Sequence, residues 1–181
     1  MEFIETKFKD AWLIEPKVFQ DERGFFLEPY SKRKFLEAEI EADFVQDNHS
    51  LSTKTGVLRG LHFQNPPHTQ AKLVRVTKGK VYDVIVDLRK NSETYGKWQG
   101  FKLSNENFQM LFVPRGFAHG FLTLEDNTEF EYKCDNFYEP SAESGIIWND
   151  PDLNINWPIE NPVLSEKDAQ LGFLKNLKSP F

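Results

Sequence analysis

Short runs in which apolar and polar residues alternate recur along most of the chain, and few stretches hold a helical period. From about residue 44 onward the signals read strand, turn, strand. The run KLVRVTKGKVYDVIVDL predicts a hairpin in which Leu73 to Val76 and Val81 to Leu88 flank a turn at Lys78-Gly79. QMLFVP, HGFLTL and EFEYKC repeat the pattern, punctuated by Pro114, Gly116 and Asn127. Nearer the N-terminus, DERGFF reads as a turn entering a strand. YSKRKFLEAEI reads as a short helix, with Ser31 available as N-cap and Phe35, Leu36 and Ile40 on one side. Near the C-terminus Ser165 precedes Asp168 by a helix-start spacing, which predicts a second short helix. Many short strands imply a sandwich or barrel, so an all-β fold is expected.

Composition narrows this picture. A chain of 181 residues fits one domain spanning 1–181, long enough to bury roughly 70% of its unfolded surface. The 17 Phe favour sheet over helix. A net charge of -6 argues against an extended nucleic-acid groove, so any anion must be met by a few local cations. No run approaches the roughly 18 apolar residues of a membrane span. The single Cys134 cannot form an intrachain disulfide, and no signal-peptide pattern opens the chain; a reducing cytoplasm is the expected setting, with Cys134 packed and inert.

Strand alternation sorts the polar residues by face. Tyr132 falls with Phe130 and Cys134 on an inward face; it is either a core tyrosine bonded to a carbonyl or a functional phenol. Asp83 shares a face with Val81 and Ile85, and Lys72 is its natural partner across the predicted hairpin. That pair is either structural or a cation held beside a reacting oxygen. His62 shares a side with Leu58 and Gly60 under strict alternation, which sends Arg59 to the other; a bulge or bend at Gly60 would bring the two together. Taken singly, His62 can be a satisfied core histidine or a base. PRGFAHG, with Pro114, Gly116 and His119, resembles the second motif of the cupin jelly roll. A metal cupin supplies two imidazoles as H-x-H upstream, where this chain reads His62-Phe63-Gln64. An amide in place of the second imidazole argues against a metal. His49 and His68 lie near polar or Pro-rich turns and are expected in loops.

The blocks DERGFFLEPY, FVQDNHS, GVLRGLHFQ, QAKLVRVTKGKVYDVIVDLRKNSETYGKW, VPRGFAHGF, EYKCDNFYEP, GIIWNDPDLNINWP and LSEKDA, in this order, closely resemble the dTDP-4-dehydrorhamnose 3,5-epimerase family over nearly the whole chain. The resemblance implies a metal-free cupin jelly roll without a cofactor, acting on a dTDP-4-keto-6-deoxyhexose, usually as a homodimer. It makes His62 the proton acceptor, Asp168 its orienter, Tyr132 the proton donor, Lys72 the enolate's cation and Tyr138 the residue stacked on thymine. Arg59 and His119 would meet phosphate or sugar, and Arg23 with Glu28 would reach the nucleotide of the partner subunit. Gln46, Asp47, Asn48, Glu143 and Lys167 match further binding positions.

Such an assignment suits the chemistry. Inversion beside a ketone needs a base on one face and an acid on the other, with a cation where the enolate charge develops. An imidazole titrates near 6.5 and can act as base near neutral pH. Asp168 is also well placed simply as a residue of the first helical turn. The expected reaction is inversion at C3 and C5; inversion at one carbon only is the close alternative, a metal-dependent cupin enzyme a more distant one, and a non-catalytic sugar-nucleotide binder a third.

Overall fold

The computed structural model describes residues 1–181 and is built on two antiparallel sheets. The six-stranded sheet contains, in spatial order, β1 (Glu2–Glu5), β2 (Trp12–Glu15), β10 (Met110–Val113), β7 (Lys72–Lys78), β12 (Thr128–Cys134) and β5 (Gln46–Ser52). The five-stranded sheet contains β13 (Glu143–Gly145), β6 (Leu58–Gln64), β11 (Phe117–Thr123), β8 (Lys80–Asp87) and β9 (Trp98–Ser104). A separate hairpin pairs β3 (Val18–Asp21) with β4 (Gly24–Leu27). Two short helices, α1 (Lys32–Glu37) and α2 (Glu166–Ala169), complete the expected all-β jelly roll.

Alternation along the strands produces layers. Val74, Val76, Leu111 and Phe130 from one sheet pack against Val81, Ile85, Leu103 and Phe121 from the other. The second face of each sheet is also apolar and also covered. Phe35, Ile40 and Ala42, around α1, lie on Ile14, Leu73, Met110 and Phe112. The C-terminal segment lays Leu153, Trp157, Leu174 and Phe181 against Leu61, Val84, Val86 and Ala118. With both faces buried, β8 carries hydrophobic residues at odd and even positions alike.

The hairpin expected from 72–88 does not form. β7 pairs with β10 and β12, whereas β8 pairs with β11 and β9, so the two strands belong to opposite sheets. Gly79 turns the corner with φ +79, where an added Cβ would lie 2.5 Å from Thr128 Oγ1. Local pattern does not distinguish this crossing from a hairpin turn, because both use a positive-φ glycine. Lys72 and Asp83 therefore belong to opposite sheets. Three smaller expectations also change. Leu36 is exposed while Phe35 and Ile40 are buried, and Ser31 occupies the N-cap position without a side-chain cap bond. His49 lies within β5, bonded to Glu129, rather than in a loop.

Gly60 sets the geometry of β6. Opposite each other in register are His62 and His119, then Arg59 and Phe121, so Gly60 and Leu61 together oppose Gly120 alone. This bulge inserts one residue and puts Arg59 and His62 on the same inward side, as the register with His119 and Phe121 requires. Gly60 has φ +124, and a Cβ there would come within 2.6 Å of the Gly120 Cα and 2.8 Å of the His119 carbonyl oxygen. Gly24 has a nearly equal φ of +127 but nothing within 4 Å. Gly24→Ala should therefore cost only backbone strain, about 1–2 kcal/mol. Gly60→Ala adds a backbone collision and should cost at least twice as much, read from urea midpoints at unchanged slope. Equal costs would contradict the close approach of β6 and β11.

Candidate active site

Between the sheets lie two connected lobes. One, of about 460 Å³, is lined by Arg59, His119, Phe121, Leu164, Lys167 and Asp168 among others. A second, of about 280 Å³, is lined by Gln46, Asn48, Gln64, Cys134, Tyr138 and Glu143 among others. His62, Lys72 and Tyr132 line both, so they stand where the lobes meet. His62 comes from the five-stranded sheet, whereas Lys72 and Tyr132 come from the six-stranded one. Anything held between the sheets at this point has an imidazole on one side and a phenol on the other.

His62 is fixed by the C-terminal segment. Its Nε2 lies 2.6 Å from Oδ1 of Asp168, which is buried on α2. The Ser165 hydroxyl accepts the backbone N–H of Asp168 at 3.1 Å, so the helix start predicted at Ser165 aims the carboxylate. Burial alone would raise the Asp168 carboxyl; the His62 hydrogen bond and charge, the Ser165 hydroxyl and the Gly60 N–H together hold it below the ordinary aspartate value. An ionised Asp168 accepts a proton-bearing Nε2 and leaves Nδ1 as the basic nitrogen. No protein group takes that Nδ1, and no buried side-chain polar atom lacks a partner, so Nδ1 opens into the cavity.

By the same reasoning the Tyr132 hydroxyl and Lys72 Nζ, which have no hydrogen-bond partner, also open into it. Tyr132 is therefore not a core tyrosine tied to a carbonyl. Burial pushes its phenol up, with Cys134 adding to this and Arg59 opposing it. Lys72 Nζ stands 5.8 Å from the centre of the Tyr132 ring, and no carboxylate lies close enough to form an ion pair with it. Burial lowers the Lys72 ammonium below the usual lysine value, against the pull of Cys134, Asp83 and Glu143. The expected Lys72–Asp83 pair is absent because Asp83 bonds to His119, with Nε2 at 2.9 and 3.1 Å from its two oxygens. That contact escaped the sequence reading, since it needs the register of β8 against β11 as well as the inward face of both residues.

The rest of the expected set divides by position. Gln46 and Asn48 face the cavity, but Asp47 alternates to the outer side of β5 and bonds Lys133 at 2.8 Å. Glu143 accepts from Tyr138 and from Lys167, both at 2.5 Å, which ties three expected binding residues together at the mouth. Arg23 and Glu28 lie away from this cavity: Arg23 is exposed on the β3–β4 hairpin against Asp21, and Glu28 bonds Lys34. Gln64 is fully used by the fold. Its amide donates to the His68 and Phe137 carbonyls and accepts the Glu139 N–H. Cys134 is buried, its thiol pushed up to about 11, and so stays protonated as expected of a packed cysteine.

The fold is thus a jelly roll of the cupin type that carries ionisable groups on both sides of an internal cavity. The sequence profile of dTDP-4-dehydrorhamnose 3,5-epimerases matches residues 5–176. A dTDP-4-dehydrorhamnose 3,5-epimerase of Shigella flexneri is 55% identical over 93% of this chain and 93% of its own length. The crystal structure of the enzyme of that name from Bacillus anthracis, with TDP and PPi bound, superposes with a TM-score of 0.94 at 50% identity, covering 96% of this chain and 99% of the other. A dTDP-6-deoxy-D-glucose-3,5-epimerase from Legionella pneumophila in complex with dTDP-4-keto-L-rhamnose gives 0.93 at 46% identity, covering 97% and 94%. The chain belongs to the dTDP-4-dehydrorhamnose 3,5-epimerase family.

Asp168 offers a direct check on this geometry. Its carboxyl lies lower in the folded than in the unfolded chain, so the stability it contributes is complete above about pH 4 and is lost as pH falls through the lower folded value. Asp168→Asn should cost about 1–3 kcal/mol at pH 7, with the gap to the wild type closing below about pH 4 in urea titrations. A gap that persists to pH 2 would contradict the His62–Asp168 bond.

Proposed function

We infer that the chain epimerises C3 and C5 of dTDP-4-dehydro-6-deoxy-D-glucose to give dTDP-4-dehydro-L-rhamnose, an isomerisation in dTDP-L-rhamnose biosynthesis. Membership of the family over residues 5–176 supports the substrate. The observation that carries the mechanism is that His62 and Tyr132 line one cavity from opposite sheets. His62 Nδ1 removes the proton from the carbon beside the C4 ketone. The C–H electron pair becomes the new carbon–carbon double bond, and the carbonyl pair moves onto oxygen as the enolate. Lys72 balances that charge, a contribution of roughly 3 kcal/mol by analogy with oxyanion donors. As the carbonyl re-forms, Tyr132 returns a proton to the opposite face. Asp168 stabilises the imidazolium, and exchange with solvent restores both groups. The same set serves C3 and C5, since both flank C4, and the steps require no redox change.

For the rest of the nucleotide, Arg59 and His119 take phosphate or sugar, while Gln46, Asn48, Glu143, Lys167 and Tyr138 hold the nucleoside end. Arg23 and Glu28 act in the second subunit of a homodimer. What supports this is the β3–β4 hairpin, a separate two-stranded sheet whose Phe19, Phe25 and Phe26 are exposed. Sedimentation velocity at micromolar concentration should find a dimer, and a monomer would exclude the exchange.

His62→Asn should lower kcat by about 10³-fold or more while dTDP affinity changes by less than about threefold. Tyr132→Phe should lower net inversion by about 10²–10⁴-fold yet still release label from substrate carrying tritium at C5, because proton removal is intact. Loss of dTDP binding in His62→Asn, or complete loss of label release in Tyr132→Phe, would overturn the assignment of base and acid.

A further inference from the structure

Asp83 takes no part in the steps above, yet it is a carboxylate with no exposed surface, set between Val81 and Ile85 in the inward row of β8. Both its oxygens meet one atom, Nε2 of His119, and no other hydrogen bond reaches them. Burying a carboxylate with a single donor is unfavourable unless a cation stands near, and an apolar side chain would fill the layer without that cost. Lys72 lines the cavity together with His119, the partner of Asp83, and has no ion-pair partner of its own. The carboxylates that line the cavity are committed elsewhere: Asp168 to His62, and Glu143 to Lys167 and Tyr138.

We propose that Asp83 is a positioning residue of the epimerase site, pinning His119 by direct contact and serving as the counter-charge that keeps Lys72 protonated. It touches no substrate atom. The proposal rests on the reading of Lys72 as the enolate's cation. The titratable and charged groups around Lys72 are Tyr132 and Cys134 from β12, Arg59 and His62 from β6, His119 from β11, Glu143 from β13, Lys167 and Asp168 from α2, Tyr138 from the segment after β12, and Asp83 from β8. Burial lowers the Lys72 ammonium, and Cys134, Asp83 and Glu143 oppose that shift. Removing the Asp83 charge therefore lowers it further, so that at a given alkaline pH more of the amine is neutral and nucleophilic.

The test is competitive acetylation with trace acetic anhydride between pH 6 and 10, with the Lys72 peptide quantified by mass spectrometry in wild type and Asp83→Asn. Labelling of Lys72 at pH 8 should rise about tenfold in the variant while exposed lysines are unchanged. The alkaline limb of kcat/KM should move to lower pH, and the melting temperature should stay level or rise, since a buried charge has been removed. An unmoved labelling curve and alkaline limb with a lower melting temperature would make Asp83 a structural ion-pair member only and overturn the proposal. Should Asp83→Asn not fold, Asp83→Ser removes the charge with less bulk and gives the same labelling readout. Labelling needs no turnover, so a wild type without epimerase activity would count against the role of Lys72 and leave the Asp83 effect to be decided on its own.

Discussion

The close approach of β6 and β11 at Gly60 and Gly120 is the constraint on which the cavity depends. Only a residue without a side chain fits where a Cβ would lie 2.6 Å from the neighbouring Cα. The bulge formed there changes the alternation of β6 by one residue. As a result Arg59 and His62, which strict alternation would separate, sit opposite Phe121 and His119 on one inward face. Gly60 also donates its N–H toward Asp168, so the same residue that bends the strand helps hold the carboxylate behind His62. A single backbone irregularity thus aligns a cation, an imidazole and its orienting carboxylate.

Around that point, charge is placed inside an otherwise apolar sandwich by pairing two carboxylates with imidazoles. Asp168 meets His62 and Asp83 meets His119, and the two imidazoles are direct register partners. Each carboxylate engages Nε2, which leaves the other ring nitrogen for the cavity. Isolated buried charges would be too costly, whereas pairs of this kind hold their side chains in place before any ligand arrives. Lys72 and Tyr132, by contrast, have no hydrogen-bonding partner of their own. Groups left unsatisfied by the protein at the meeting point of two lobes are available to a substrate, and here they come from the sheet opposite His62.

Much of this was legible in the residues. Alternation put Tyr132 and Asp83 inward, the Ser165 spacing announced α2, and Gly60 between Arg59 and His62 flagged the bulge. The resemblance of ordered blocks supplied the family. What local pattern could not supply was pairing between distant strands. The turn at Gly79 carries the chain from one sheet to the other, and nothing within 72–88 distinguishes that from a hairpin. The same limit hid the partner of Asp83, because His119 reaches it only through the register of β8 with β11. Asp47 matches the family in one block with Gln46 and Asn48, whereas alternation sets its side chain on the other side of the strand, against Lys133. Gln64, read only as a missing ligand, ties two loop segments together, one at His68 and one at Phe137 to Glu139.

In the proposed reaction a base and an acid from opposite sheets exchange protons with both carbons beside the C4 ketone. Incubating the protein with dTDP-4-dehydro-6-deoxy-D-glucose in D₂O, and reading the product by NMR, tests it most directly. The inverted product should carry deuterium at both C3 and C5, because the returned proton comes from a phenol in exchange with solvent. Inversion without deuterium at either carbon would contradict it.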